Sequence, residues 1–497
     1  MPSPDRGGSE ERAGGVFFRK NNAVSKAKYD AVVIGAGPNG LAAAIKVALA
    51  GRSVLVREAA DTPGGGCRTK ELTLPGFRHD VGSAIHPLGY GSPFYQTLGL
   101  ERYGLEWIFP PAALAHPFDD GPAAVLYPSV DDTADTLGAD GDNYRRLMGP
   151  LVPNWGETAR ALREPLRLAR YPFGLARFGL KAILSSQALT EAAFSGGRAK
   201  AFFSGMAAHS MLPLTQSPSA AFGMALGLAG HALNWPFPRG GSQAITDALV
   251  SHLKSLGGEV ETSSPVRSLA ELPPSRLVFA DITPRQLISI AGDKMPSGYK
   301  ARLEKYRYGM GAFKLDYALD GPVPWKSPEV GTAATVHLGA TRAELNASEQ
   351  AAASGQIAER PYVLAAQQSL FDPTRAPEGK HTFWAYCHVP NGSREDMTER
   401  IEAQIERFAP GFKDRILARA VLTPQALERY SANYIGGDIN GGVQDWAQLF
   451  TRPLPRWTPW STAVPGLYLC SSSTPPGGGV HGMCGYYSAM AALASHP

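Results

Sequence analysis

The chain of 497 residues has few cysteines, little net charge and no long apolar run, and each shortage removes a class of function. Its four cysteines, Cys67, Cys387, Cys470 and Cys484, are widely spaced, with no C-x-x-C pair and no Cys/His spacing of a zinc site. That excludes a disulfide framework and a metal cluster, so the expectation is a reducing compartment and no metal. The formal charge is +4, and residues 1–28 hold six basic residues against Asp5, Glu10 and Glu11, a balance of +3 that leaves +1 for the rest. A near-neutral body gives no footing for a nucleic-acid partner. No stretch reaches the roughly 18 uninterrupted apolar residues of a membrane span, and the polar residues 1–28 lack the apolar segment of a signal peptide. Residues 1–28 are therefore expected to be a disordered tail, and the protein cytoplasmic.

What is present is an ordinary globular composition, 44% hydrophobic and 19% charged, at a length that predicts two or more structural units. "YDAVVIGAGPNGLAAAIKVALAGRSVLVREA" (29–59) reads as a buried strand, a glycine turn, an Ala-rich helix and a second strand. In that turn Gly35 permits the bend, Gly37 lets a pyrophosphate approach backbone, and Gly40 packs helix on strand, with Pro38 and Asn39 completing the loop. Glu58, at the end of the second strand, is placed to accept hydrogen bonds from a ribose. These residues indicate a dinucleotide without choosing NAD or FAD. "DTPGGGCRTKELTLPGFRHDVGS" (61–83) adds a second glycine turn at Gly64, Gly65 and Gly66, followed by Arg68 and Thr69. A plain NAD unit needs no such turn; a longer cofactor lying across the domain does. Arg68 can give a charge-assisted donor to phosphate or flavin, a lone surface arginine being the alternative.

Between the βα pieces the pattern turns irregular twice, over 101–235 and 291–435. The βα character returns with a glycine turn before a helix over 242–256, a strand near 259–263 and the apolar "RLVFADITP" (276–284). The second excursion holds the alternating strand "AFKLDYAL" (312–319) and a helix-like run over 394–410. Two discontinuous domains are expected. The chain closes on "PGLYLCSSSTPPGGGVHGMCGYYSAMAAL" (465–493), in which "LYLC" reads as a strand returning to the first sheet and a helix is expected from Val480–His481.

These motifs together resemble the FAD-dependent oxidoreductases of the phytoene desaturase and carotenoid isomerase type, within the amine oxidase-like superfamily, over most of residues 29–497. Besides the two glycine turns, the resemblance rests on "FPRGGSQAITDAL", "GGEVETSSPV", "AFKLDYALDGPVPW" and "PGLYLCSSSTPPGGGVHG". Within the group the chain looks like the pyridine nucleotide-disulfide oxidoreductase domain-containing protein 2 branch. The resemblance implies an α/β fold, with a Rossmann-like FAD-binding domain assembled from residues 29–100, 236–290 and 436–497. It implies a mixed α+β substrate domain from 101–235 and 291–435. It also implies that Val266 pairs its backbone with adenine, that Gly240 shapes the approach to the flavin, and that Ser473, Gly478, Gly479, Val480 and His481 border the cofactor. Relatives carry a Gly-x-Gly-Thr-His-Pro-like run where this chain has Ser471 to Pro476. Their histidine is missing, so the relatives' reaction is not transferable.

A flavin accepts hydride itself, so the expected reaction is hydride transfer from a hydrophobic small-molecule substrate, with an unidentified electron acceptor. His481 and Asp438 are the candidate catalytic side chains, set against capping and turn-stabilising roles. Trp235, Phe237, Tyr434, Trp446, Tyr486 and Tyr487 suggest an aromatic cavity. An amine oxidase-like oxidase and a non-catalytic flavin-binding protein stand as alternatives. The basic apolar stretch 165–184 is compatible with peripheral membrane contact, although a solvated face over ordinary core is favoured; a homo-oligomer stays open.

Overall fold

The computed structural model describes residues 28–163 and 172–496, with the side chains of 172–174 left out. The expected tail and the first part of the 165–184 stretch lie outside the described residues. The chain opens with β1 (Tyr29–Ile34), α1 (Pro38–Ala48) and β2 (Val54–Arg57). A first excursion supplies β3 (Ala112–His116), β4 (Ala124–Leu126) and α2 (Ser219–Leu233). The chain returns through α3 (Gln243–Ser255), β5 (Glu259–Glu261) and β6 (Ser275–Ala280). A second excursion adds β7 (Gly311–Leu319), β8 (Ala333–Leu338), β9 (Val363–Ala366), β10 (His381–Val389) and β11 (Ile416–Leu422). The strand β12 (Leu467–Leu469) and the helix α4 (Met483–Ser495) close it.

The first sheet has the order β12-β6-β1-β2-β5 and is parallel throughout. The inner strands β1 and β2 read as largely apolar runs because both faces are covered, as parallel sheets require, whereas the edge strand β5 is exposed at Glu259 and Glu261. On one face, Leu41 and Ile45 of α1, Leu249 and Leu253 of α3 and Met483 of α4 share a core with Val33, Val54 and Phe279. On the other, Ile34, Ala280 and Leu469 pack against Leu287 and Leu303. The fold is thus α/β with a Rossmann-like unit whose strands come from three separate stretches of chain.

The second sheet has the order β11-β7-β10-β9-β8-β3-β4. Its pairs are antiparallel except β3 with β8, so strands of both excursions share one sheet. Strand alternation divides its two faces. Phe313, Leu315 and Tyr317 of β7 point with Phe383 and Cys387 of β10 into an apolar core closed by Ile401, Ile405 and Phe408. The opposite face carries Lys314, Asp316, Trp384, Tyr386 and His337, and these side chains are also largely removed from solvent.

Two expected boundaries move. The helix expected over 394–410 is Thr398–Phe408. The last helix begins at Met483, because Gly482 takes a left-handed φ of 69° and ends the preceding turn before the helix can start. Val480 and His481 therefore lie in the loop. No helix among the described residues is long and apolar enough to cross a membrane.

The last helix packs on the first with bare backbone. A Cβ on Gly485 would come within 1.8 Å of the Asn39 carbonyl oxygen and 2.9 Å of the Ala43 nitrogen. Neither atom can move without breaking α1. Gly485→Ala is therefore expected to lower the thermal midpoint of unfolding by an overpacking cost of about 1–3 kcal/mol or more. Gly197→Ala, in a helix with open space around the added methyl, is expected to be neutral or stabilising. Equal midpoints for the two variants in a calorimetric scan would contradict this packing.

Candidate functional site

A cavity of about 340 Å³ is lined by both units. The first sheet's side gives Gly37, Asn39, Gly65, Asp281, Gly479 and Val480. The second sheet gives Lys314, Thr335, Leu364, Trp384 and Tyr386 from the polar face, and His209, Leu226 and Trp235 come from the helical part of the first excursion.

The two N-terminal glycine turns meet backbone to backbone: a Cβ on Gly65 would sit 3.2 Å from Gly37 Cα. Gly40 lies so close to the Gly35 carbonyl, 2.1 Å from an added Cβ, that only glycine fits. Gly37 caps α1, with Pro38 in its first turn. Asn39 lines this end of the cavity, and its buried Oδ1 has no hydrogen-bond partner among the described residues. A polar atom in that position calls for a ligand group.

Glu58 accepts the Ala36 N–H at 2.8 Å and the Ala60 N–H at 2.9 Å, which ties the second strand to the glycine turn. Arg68 is buried rather than lying on the surface: it donates to Glu58 at 3.0 Å and to the Thr62 carbonyl at 2.9 Å, and lies 5.3 Å from the Tyr430 ring. Thr69 donates to Asp80 at 2.7 Å and accepts the Gln243 N–H, joining this segment to α3. Gly240 donates to Asp372 at 2.7 Å. Val266 is half-buried and packs beside the Ile34 and Ala280 cluster.

At the other end of the chain, Ser473 donates to the Gly441 carbonyl at 2.8 Å and does not line the cavity. Gly479 and Val480 line it, whereas Gly478 stands behind them with Asn440 3.3 Å from an added Cβ. Gly479 has a φ of +122°, which an L side chain rarely adopts.

Both candidate catalytic side chains have structural jobs. His481 is buried, does not line the cavity, and its Nδ1 accepts the Met483 N–H at 3.0 Å, which caps α4. Burial pushes its pKa down to about 3, so it is a neutral imidazole. Asp438 is likewise absent from the lining, and its carboxylate accepts the Gly309 N–H at 2.8 Å and the Asn440 N–H at 2.7 Å. It organises the glycine-rich loop. Of the six aromatic residues read as a cavity wall, Trp235 and Tyr434 line it. Phe237 is core, Trp446 is 42% exposed and stacks on Phe450, and Tyr486 and Tyr487 pack on the core beneath the first sheet.

Three features escaped the sequence reading. Asp281, at the end of β6, accepts the Gly40 N–H at 2.9 Å and stands over Gly37. Burial raises its pKa to about 7, with the nearby Glu58 adding to the shift and the Gly40 hydrogen bond opposing it. Its signal was an acid inside the apolar "VFADI". Lys314 faces the cavity and pairs with Asp316 at 2.5 Å; charges at alternate positions of "AFKLDYAL" were the signal. His209 Nε2 lies 2.9 Å from His337 Nε2, and burial holds both imidazoles neutral.

A model of the NAD(P)-binding Rossmann-like domain matches residues 33–98. The chain is 25% identical to pyridine nucleotide-disulfide oxidoreductase domain-containing protein 2 of Rattus norvegicus over 93% of each chain. It is also 25% identical to the neurosporene-forming phytoene desaturase of Rhodobacter capsulatus over 92% of each. Putrescine oxidase with putrescine bound has a TM-score of 0.59 at 18% identity, covering 94% of this chain and 99% of that one. The expected resemblance holds: the homologues are oxidoreductases of the phytoene desaturase group and its pyridine nucleotide-disulfide branch, and the fold is shared with an amine oxidase.

Asp281 generates a pH prediction. Its folded pKa of about 7 exceeds its ordinary 3.8, so between those values the folded protein keeps a proton that the unfolded chain releases. Stability contributed by this group therefore falls as pH rises through that window and is level above it. Asp281→Asn keeps an acceptor for Gly40 and removes the titration. Its melting temperature relative to the unaltered protein is expected to rise from pH 5 to pH 8, and a difference independent of pH would contradict the assignment.

Proposed function

We propose that the protein is an FAD-dependent oxidoreductase, a dehydrogenase, desaturase or isomerase acting on a largely apolar small molecule. The observation that carries this reading is the single cavity bordered by two glycine turns, a C-terminal glycine segment and the second sheet. The unpartnered Asn39 Oδ1 and the bare backbone at Gly37, Gly65 and Gly479 are features a long, flat, polar-ended cofactor fits. When bound, FAD supplies a two-electron hydride acceptor.

The chain's own residues would do the rest. The turn from Gly35 to Gly40 would bring the Gly37 and Asn39 N–H groups and the positive end of α1 to a diphosphate, while Pro38 has no N–H and those of Gly35 and Gly40 donate to the Arg57 carbonyl and Asp281. Glu58 would take the ribose and the Val266 backbone the adenine. Gly65 and Gly66 would border the middle of the cofactor, with Arg68, Thr69 and Gly240 holding the segments behind them, and Gly479 and Val480 its ring end, backed by Ser473 and Gly478. Asp281 carries its proton through mildly acidic pH, which lessens the repulsion between its carboxyl and a neighbouring diphosphate. Leu226, Leu364, Trp235 and Trp384 exclude water and hold an apolar skeleton. An electron acceptor is the partner this reading requires. The amine oxidase-like alternative draws on the fold shared with putrescine oxidase.

Purified protein is expected to carry flavin that an apolar substrate bleaches without oxygen. Gly479→Leu is expected to lose that flavin while circular dichroism shows the fold retained. Protein that stays colourless and does not take up added FAD would contradict the reading.

A further inference from the structure

Behind the C-terminal wall of the cavity lies a buried cation that the proposed function leaves unused. Arg452 is among the largest fully buried side chains. It donates to the Ser472 carbonyl at 2.9 Å and to the Val443 carbonyl at 3.2 Å, and its Nε has no hydrogen-bond partner among the described residues. Ser472 lines the cavity, as do Gly479 and Val480. Between them, the Nη1 of Arg452 stands 3.2 Å from where a Cβ on Gly477 would be, so the guanidinium lies against the backbone of the segment 472–480 from the side away from the cavity.

Two carbonyls occupy part of a guanidinium's five donors and balance none of its charge. Among the described residues Arg452 forms no ion pair with a carboxylate. The acid that acts on it is Asp438, whose carboxylate is turned to the Gly309 and Asn440 N–H groups. Tyr306 donates to the Gly441 carbonyl beside it, and burial pushes that phenol up to about 12, so it adds no charge. The charged residues that line the cavity stand elsewhere: Asp281 over Gly37, and Lys314 paired with Asp316. A desolvated cation is costly unless a negative charge faces it, and a neutral amide would serve two carbonyls at less cost. What a full charge adds here is its field.

We infer that Arg452 tunes the reduction potential of a flavin held at this end of the cavity, its fixed charge acting through the 472–480 backbone to favour the negative charge the ring gains with a hydride. This deepens the FAD reading and rests on it. Arg452 does not line the cavity, so it is a positioning residue for charge, and no bond-making step is assigned to it.

The test is the midpoint potential of bound flavin, measured against a reference dye at pH 8 on full-length protein supplied with FAD. Arg452→Gln keeps donors for the two carbonyls and removes the charge, Arg452→Lys keeps the charge and loses the planar fork, and Asp438→Asn removes the negative charge that acts on Arg452. Arg452→Gln is expected to shift the reduction equilibrium about tenfold toward oxidised flavin, which for two electrons is about 30 mV downward. Arg452→Lys is expected to stay close to the unaltered protein, and Asp438→Asn to move the potential upward. A clamp that merely holds loops together would make the Gln and Lys variants lose flavin alike and leave unchanged the potential of what stays bound. The inference is overturned if Arg452→Gln leaves the potential unchanged, or if Arg452→Lys lowers it as far. Should circular dichroism show Arg452→Gln unfolded, Asp438→Asn decides, and a potential that stays level or falls overturns the inference. Unaltered protein that takes up no FAD sinks the oxidoreductase reading and this inference with it, whereas bound flavin with equal potentials sinks this inference alone.

Discussion

The contact on which the rest of the molecule depends is the one between its two ends. The last helix lies on the helix of the first glycine motif with no side chain between them at Gly485 and Asn39. Neighbouring hydrogen bonds fix the same junction, Tyr95 to the Pro38 carbonyl at 3.1 Å and Ser92 to the His481 carbonyl at 2.7 Å. With α4 held there, the loop before it has one place to go, and Gly479 and Val480 come to the cavity beside Gly37 and Gly65. The glycines and prolines near the C-terminus are therefore a consequence of closure. At Gly477 and Gly479 the intervening turn takes φ values of +107° and +122°, which L side chains rarely adopt.

The second sheet depends on a different constraint, the two-residue period of a strand. One face pays for the fold with a conventional apolar core. The other is free to carry Lys314, Asp316 and Tyr386 because each finds a neighbour across the ladder or a partner along its own strand. Buried ion pairs of this kind add little net stability compared with apolar residues of similar size. The Lys314–Asp316 pair stands on the cavity side, whereas the core side is mainly apolar, with the Arg419–Glu402 pair beside Tyr317.

Much of the Rossmann-like unit was legible because its signals are local. The strand, glycine turn and helix at 29–59 follow one another without interruption, and β6 and β12 stand out as short apolar runs. The candidate site was legible only where backbone shape is the message, at Gly37, Gly65 and Gly479. Side-chain roles were not, because they depend on partners far away in sequence. Arg68 was read as a donor to phosphate or flavin or else a surface arginine, and is committed to Glu58 and Thr62; His481 was read as a donor near the flavin with capping as the rival, and it is the capping role that its hydrogen bond to Met483 shows. Asp281 and Lys314 give no signal of where they point until β6 meets β1 and β7 meets β10.

The central claim is that one dinucleotide site is built from segments at opposite ends of the chain. Amide hydrogen exchange, compared with and without added FAD, tests this most directly. The account predicts that FAD slows exchange together in residues 35–40, 64–68 and 477–483. Protection confined to residues 35–40, or no protection in any of the three, would contradict it.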